Sequence, residues 1–314
     1  MDEEYAILGK NLHKHYGDIH AVRGIDFHVQ AGEIFSLLGP NGAGKSTTIS
    51  MLSCLLTPTD GEAWVMGHSI LEEPMAVKAS LGVVPQEIAL YEDMSARENL
   101  VFWGKMYGMR GEALTRRVDE VLEIVGLMDR QKGRVGKFSG GMKRRLNVGI
   151  ALLHKPEIVI MDEPTVGIDP QSRRRILESV KELNAEGMTV LYTTHYMEEA
   201  QELSDHIAIM DYGEIIAFGT HEELVKIVGQ MDRITLTINT ESERVMAAWR
   251  ATTGVSSVSA SDGTVDLMVD DSNLVLPRLF EAANAAGVRI TSVDIMEPNL
   301  EAVFLHLTGR ALRD

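Results

Sequence analysis

Four short runs of aliphatic and β-branched residues, Ile34–Leu38, Ile158–Met161, Val190–Tyr192 and Ile207–Met210, punctuate the first two thirds of the chain. They are continuous rather than alternating, the pattern of strands covered on both faces of a parallel sheet. Between Ser95 and Leu153 the period changes: Leu114, Val118, Leu122 and Val125 recur about once per helical turn. The pattern predicts an α/β core with a helical block inserted at about residues 90–153. Beyond residue 230 the apolar positions alternate, as in Ile234, Leu236 and Ile238 and again in Val265, Leu267 and Val269. With strands at Val255–Ser259 and Ile290–Ile295 and helices over roughly Ser242–Thr252, Ser272–Ala286 and Asn299–Thr308, this segment reads β-α-β-β-α-β-α. Such alternation predicts a small open α+β sheet with one polar face.

Composition marks the same division. Lys226 is the last lysine, and residues 231–314 hold 12 acidic and 7 basic side chains. The predicted domains are therefore 1–230 and 231–314, with the cut at Val228-Gly229-Gln230. The whole chain of 314 residues carries a net charge of −16. That sign disfavours a protein that coats nucleic acid or clings to an anionic membrane. Cys54 is the only cysteine, which excludes an internal disulfide framework and a cysteine-rich zinc site. No apolar run approaches the roughly 18–20 residues needed to cross a bilayer. The acidic start MDEEYAILGK lacks the layout of a signal peptide. The chain is expected in the cytoplasm, with any membrane span supplied by another polypeptide.

Gly39-Pro40-Asn41-Gly42-Ala43-Gly44-Lys45-Ser46-Thr47 follows a predicted strand and opens a helix predicted from Thr48 to Leu56. It fits G-x-x-x-x-G-K-[ST] in the strand–loop–helix setting that motif needs. Glycines let successive N–H groups face phosphate oxygens, and the helix N-terminus adds partial positive charge. Lys45 brings a full charge to the β- and γ-phosphates, and the Ser46 hydroxyl is a Mg²⁺ ligand.

Ile158-Val159-Ile160-Met161 ends in Asp162-Glu163, two carboxylates where parallel strands meet their ligands. Asp162 suits Mg²⁺, and Glu163 suits a water aimed at the γ-phosphate. His195 closes Thr189–Thr194 and offers an imidazole to a phosphate or the attacking water. Gln86 presents an amide to metal or water, unless it is a surface-turn glutamine. Tyr16 presents a ring for a purine, unless it is a half-buried strand tyrosine.

Phe138-Ser139-Gly140-Gly141-Met142-Lys143-Arg144-Arg145-Leu146, about twenty residues before Asp162-Glu163, resembles the signature sequence of the ATP-binding subunits of ABC transporters. Over roughly residues 4–230 the order of aromatic loop, phosphate loop, Gln86, signature, carboxylate pair, Asp169 loop and His195 is similar to that family. The resemblance implies a P-loop NTPase core with an inserted helical subdomain, followed by a small C-terminal α+β domain of ferredoxin-like type. It implies ATP and Mg²⁺ as ligands, with Tyr16 on the adenine and Gln86 as sensor of Mg²⁺ and water. Glu163 becomes the catalytic carboxylate, His195 the switch histidine and Gly167-Ile168-Asp169 the loop between two nucleotide sites. It also implies a homodimer that sandwiches two ATP molecules, each closed by the partner copy's Ser139-Gly140-Gly141. Met142 and Phe138 depart from the family's usual glutamine and leucine; neither donates to phosphate. Lys143-Arg144-Arg145 and Arg173-Arg174-Arg175 are expected to be solvated helix faces.

Glu297–Arg310 and Leu90–Leu100 resemble subunits that drive drug, antibiotic or lipid-linked exporters, whose membrane domains are separate chains. The function so implied is an ATPase at the inner face of the membrane, powering multidrug export by a separate transmembrane permease, with no nucleic-acid partner. Trp103, Met106, Tyr107 and Met109 are candidates for the permease contact or for core packing. The competing reading is a soluble ATPase of the same fold acting on ribosomes or DNA. It is disfavoured by the negative charge and by the lack of a second nucleotide domain or coiled-coil insertion.

Overall fold

The computed structural model describes residues 5–228, 231–240, 243–261, 263–296 and 299–309. They form two compact units dividing at His221/Glu222, and each is taken by itself. Gly229 and Gln230 of the expected cut, Glu297, Pro298 and Arg310 of the tail motif, and Ser242 lie outside the described residues.

The first unit opens with a hairpin of β1 (Tyr5–Tyr16) and β2 (Ile19–Gln30), turned at Gly17 with φ +57°. Then come β3 (Ile34–Leu38), α1 (Lys45–Leu52), β4 (Asp60–Val65), β5 (His68–Ser69), α2 (Pro74–Ser80) and β6 (Leu81–Val84). The helical insertion is α3 (Ala96–Met106), α4 (Gly111–Ile124) and α5 (Gly140–Leu152). The chain returns through β7 (Ile158–Asp162), α6 (Pro170–Ala185), β8 (Thr189–Thr194), α7 (Met197–Leu203), β9 (His206–Asp211) and β10 (Glu214–Gly219). Helix α8 (His221–Lys226) starts at the division and belongs to the second unit from Glu222 on.

The central sheet runs β10-β9-β3-β8-β7-β6, parallel from β9 to β6 with β10 antiparallel at the edge. The four apolar runs are its central strands, and β3, β7 and β8 are buried throughout. Alternate side chains serve opposite faces. Phe35, Ile158, Ile160 and Leu191 join the core shared with the β2-β1-β4-β5 sheet. Val159, Met161, Val190 and Tyr192 join the core shared with the helical insertion.

Helix α1 stops four residues short of the predicted Leu56. Cys54 turns left-handed at φ 54°, and the N–H groups of Leu55 and Leu56 both reach back to Ser50 O. The insertion splits the candidate contact residues by their packing. Trp103 and Met109 pack on the core, whereas Met106 and Tyr107 are exposed.

In the second unit, β11 (Asp232–Ile238), α9 (Glu243–Arg250), β12 (Val255–Ser261), β13 (Thr264–Val269), α10 (Ser272–Ala286) and β14 (Ile290–Met296) are followed by α11 (Leu300–Thr308). The strands make an antiparallel sheet in the order β12-β13-β11-β14. The alternating residues Ile234, Leu236, Val265 and Leu267 bury one face beneath Trp249 of α9 and Leu279 of α10. Among the described residues no helix is long and apolar enough to cross a membrane.

Candidate functional site

Because β3, β8, β7 and β6 are neighbours and parallel, their C-terminal ends lie side by side. Four separated pieces of sequence thus meet at one edge: the loop after β3, His195 after β8, Asp162-Glu163 at β7 and Gln86 after β6. This is where open α/β sheets bind ligands.

The β3 loop is shaped by glycine. A Cβ on Gly39 would stand 2.1 Å from Met210 O, and one on Gly44, at φ +109°, would stand 2.7 Å from Ala21 O. Only glycine permits these approaches. Lys45 is the first residue of α1 and is 4% exposed. Its ammonium donates to Gly39 O at 2.6 Å and Pro40 O at 3.1 Å, and lies 3.0 Å from Glu163 Oε1. Asn41, Gly42, Ala43, Gly44, Ser46 and Thr47 line a cavity of about 340 Å³ together with Lys45, Ala21, Gln86 and Glu163.

Glu163 sits in the left-handed region at φ 43°, a conformation that costs a non-glycine residue about 1–3 kcal/mol unless its surroundings hold it. They do. Its N–H donates to Thr193 Oγ1 at 2.9 Å, and that hydroxyl donates to Asp162 Oδ1 at 2.7 Å. The carboxylate gathers three strand ends. Oε1 meets Lys45, Oε2 accepts from Gln86 Nε2 at 3.3 Å, and His195 Nδ1 approaches Oε2 at 3.3 Å. The His195 contact is off the line of a hydrogen bond, so this nitrogen, on a residue 8% exposed, has no hydrogen-bond partner among the described residues. Ser46 and Gln86 face the cavity; Asp162 is not among its lining residues.

Five further candidates, Tyr16, Ser139, Gly140, Gly141 and Asp169, do not line this cavity. Tyr16 is 48% exposed at the hairpin end, with Lys14 Nζ 5.5 Å from its ring centre. Ser139 caps α5 by accepting from Met142 N at 3.3 Å, and a Cβ on Gly140 would meet no atom within 4 Å. Gly141 is crowded instead, since a Cβ there would stand 2.1 Å from Ser172 Oγ. Asp169 caps α6 by accepting from Ser172 N at 3.0 Å. The Ser172 hydroxyl and N–H hold the Asp169 carboxyl below its ordinary range. Ser172 thereby sits against the starts of both helices.

The comparisons with known proteins agree on one family. Residues 22–166 match the ABC transporter family, and residues 226–308 match the C-terminal domain of DrrA1-3-like ATP-binding proteins. The chain is 50% identical over 312 residues to the linearmycin resistance ATP-binding protein LnrL of Bacillus subtilis (strain 168), which covers 98% of this chain and 100% of the relative.

This chain belongs to the ABC transporter ATP-binding family.

The daunorubicin/doxorubicin resistance ATP-binding protein DrrA of Streptomyces peucetius is 37% identical to this ABC ATPase, over 98% of this chain and 94% of the relative. Among solved structures, cbiO1 of Clostridium perfringens, part of the ABC transporter complex cbiONQ, matches at TM-score 0.65 and 27% identity, over 72% of this chain and 94% of that one. A dimeric structure of a post-hydrolysis state of the ATP-binding cassette MJ0796, bound to ADP and Pi, matches at TM-score 0.62 and 27% identity, over 68% of this chain and 98% of that one.

Arg174 and Arg175 are exposed, as the sequence suggested, but one residue of each basic cluster of the ABC ATPase is not part of a solvated face. Arg144 is 3% exposed and donates to Pro85 O and Gln86 O, each at 2.7 Å. The second residue of the signature's basic run therefore holds the Gln86 backbone. Arg173 pairs with Glu199, Nε to Oε1 at 2.6 Å, and lies 4.3 Å from the Tyr196 ring centre. Glu199, 1% exposed, also accepts from Tyr192 Oη at 2.9 Å and Thr194 Oγ1 at 2.8 Å. Burial and the Glu199 charge push the Tyr192 phenol well above its usual range. Glu199 and Thr193 are not singled out by the sequence, and Arg144 and Arg173 read there as solvated, because the partners lie 26 to 58 residues apart: Arg173 with Glu199, Thr193 with Glu163 and Arg144 with Gln86. The available signal was slight: Glu199 lies four residues after His195, one turn into a short helix.

Proposed function

We propose that this ABC ATPase powers export by a separate membrane permease, through ATP-driven pairing of two copies. One observation carries the reading. The chain has two glycine turns that open helices, the loop around Lys45 and the uncrowded Ser139-Gly140 turn, both of a kind that suits anions, and the second is not among the residues lining the first one's cavity. A head-to-tail pair lets the Ser139-Gly140-Gly141 turn of one copy close the triphosphate held by Gly39–Thr47 of the other, with both helix starts aimed at phosphate. Asp169, capping α6 beside Ser172, takes the place between the two sites, and Tyr16 receives the adenine.

In this reading the triphosphate competes with Glu163 for Lys45, so nucleotide binding releases the carboxylate to accept a proton from the attacking water. The water oxygen bonds to the γ-phosphorus while the bond to the β–γ bridging oxygen breaks. His195 Nδ1, without a hydrogen-bond partner among the described residues, is read as steadying the transferring group. Ser46 and Gln86 would hold Mg²⁺ from the cavity by hydroxyl and amide oxygens, and the Asp162 carboxylate, which does not line it, would complete this oxygen set through water. When bound, that ion offsets the charge of the phosphates.

The second unit is read as an accessory domain of ferredoxin-like type, on its β-α-β-β-α-β order and strand arrangement. The linearmycin, daunorubicin and doxorubicin resistance relatives support antibiotic-class cargo for the export step. They leave the ribosome or DNA reading without support. The chain then works at the cytoplasmic face of the membrane, held there by its permease. Purification from detergent-solubilised membranes is expected to bring down a multi-spanning membrane protein, with ATP turnover in the complex. Co-sedimentation with ribosomes in place of that membrane partner would overturn the assignment.

A further inference from the structure

Away from the residues that line the nucleotide cavity, three imidazoles converge near the turn of the β1–β2 hairpin. His13 and His15 lie two apart on β1, and His20 on β2 is the cross-strand partner of His15. One ring nitrogen from each lies within 4.8 Å of the others. His13 Nδ1 and His20 Nε2 are 3.1 Å apart. Two imidazole nitrogens on a tetrahedral ion, each at about 2.0–2.1 Å, stand roughly 3.3 Å from one another. The His15 and His20 rings stack with centres 3.7 Å apart.

The surroundings hold this arrangement. His13 Nε2 lies 3.1 Å from Asn11 Oδ1; with the proton on Nε2 donated there, Nδ1 keeps its lone pair for a cation. Asn11 is itself in the left-handed region at φ 47°, and its N–H donates to Asp26 Oδ1 at 3.0 Å. Gly24 leaves the space, since a Cβ there would stand 2.7 Å from His13 Nε2 and 3.0 Å from Asn11 Oδ1. Strand pairing slips between Leu12 and His13 and again between Lys14 and His15, and such bulges re-aim side chains. The neighbouring cations are engaged with carbonyls, Arg23 Nε with His20 O at 3.3 Å and Lys14 Nζ with Thr57 O at 2.7 Å.

We propose that His13, His15 and His20 form a three-imidazole site for a zinc-class divalent cation, with water as the fourth ligand. An all-nitrogen set selects this class over Mg²⁺ or Ca²⁺, which take oxygen. An ion there ties β1 to β2 beside the turn. Tyr16 follows His15 directly, and Ala21, which lines the nucleotide cavity, follows His20. The binding itself does not rest on the ATPase reading, so its test uses no nucleotide.

The test is titration of the full, untagged chain with Co²⁺, followed by competition with Zn²⁺. One equivalent should produce the intense visible bands of four-coordinate cobalt, and Zn²⁺ should erase them. His15→Ala and His20→Ala should each weaken binding about tenfold or more, while Glu163→Gln should bind as the unaltered chain does. Unchanged thermal unfolding of the metal-free variants would show that they remain folded. His15→Asn, a milder replacement, should lose the bands equally. A pale six-coordinate spectrum in the unaltered chain, or undiminished binding in the His15→Ala/His20→Ala double variant, would overturn the proposal.

Discussion

Glu163→Gln is expected to bind ATP at close to the affinity of the unaltered chain and to turn it over at least about a hundredfold more slowly. The amide has the shape of the carboxylate, and the backbone that presents it is held by Thr193, so the site should keep its geometry. What is lost, on the proposed mechanism, is the group that takes a proton from water. The Lys45 ammonium, 3.0 Å from Glu163 Oε1, would lose its anionic partner and become more available to phosphate, which favours binding. On the proposed mechanism hydrolysis undoes the closed pair, so the variant should accumulate as an ATP-bound dimer by light scattering. Near-normal hydrolysis would remove Glu163 from the chemistry.

Glu199→Ala is expected to destabilise the first unit by about 3 kcal/mol, because removing one partner of a buried ion pair strands the other. Three donors lose their acceptor at once: Arg173 Nε, Tyr192 Oη and Thr194 Oγ1. The Arg173 side chain is 28% exposed and can turn to water, which places the cost at the low end of the range for such pairs. Glu199→Gln, which keeps an acceptor, should lose less. The loss is to be read by urea unfolding followed by tryptophan emission, in which Trp64 and Trp103 report on the first unit and Trp249 adds the same second-unit signal to every variant. A midpoint equal to that of the unaltered chain would show that the pair contributes nothing. Turnover should fall as well, because Thr194 immediately precedes His195.

Features set by local chemistry were legible in the sequence. The buried runs Ile34–Leu38 and Ile158–Met161 announce central strands because strands covered on both faces have no polar alternation. The loop from Gly39 to Thr47 announces a phosphate cradle because its glycines, lysine and hydroxyls must be contiguous. Their convergence was less visible. Nothing near Gln86 in sequence shows that Arg144 holds its backbone carbonyl, 58 residues away. The pairing of His15 with His20 appears only once the hairpin register is known. The early end of α1 depends on the left-handed turn at Cys54, a conformation that cysteine does not advertise. Trp103 and Met106 lie on one helix with similar hydrophobicity, and only the packing of the insertion sends the first inward and leaves the second exposed.

Hydrolysis by mixed inactive chains tests the shared site most directly. Lys45→Ala destroys a copy's own phosphate loop and leaves its Ser139-Gly140-Gly141 turn; Ser139→Arg does the reverse. Each alone should be inactive. Mixed as monomers in equal amounts before nucleotide is added, half the pairs should contain one of each chain and one intact composite site. Random pairing into a two-fold dimer with independently working sites then gives about a quarter of the unaltered rate. A mixture no more active than its separate components would contradict a nucleotide site built from two copies.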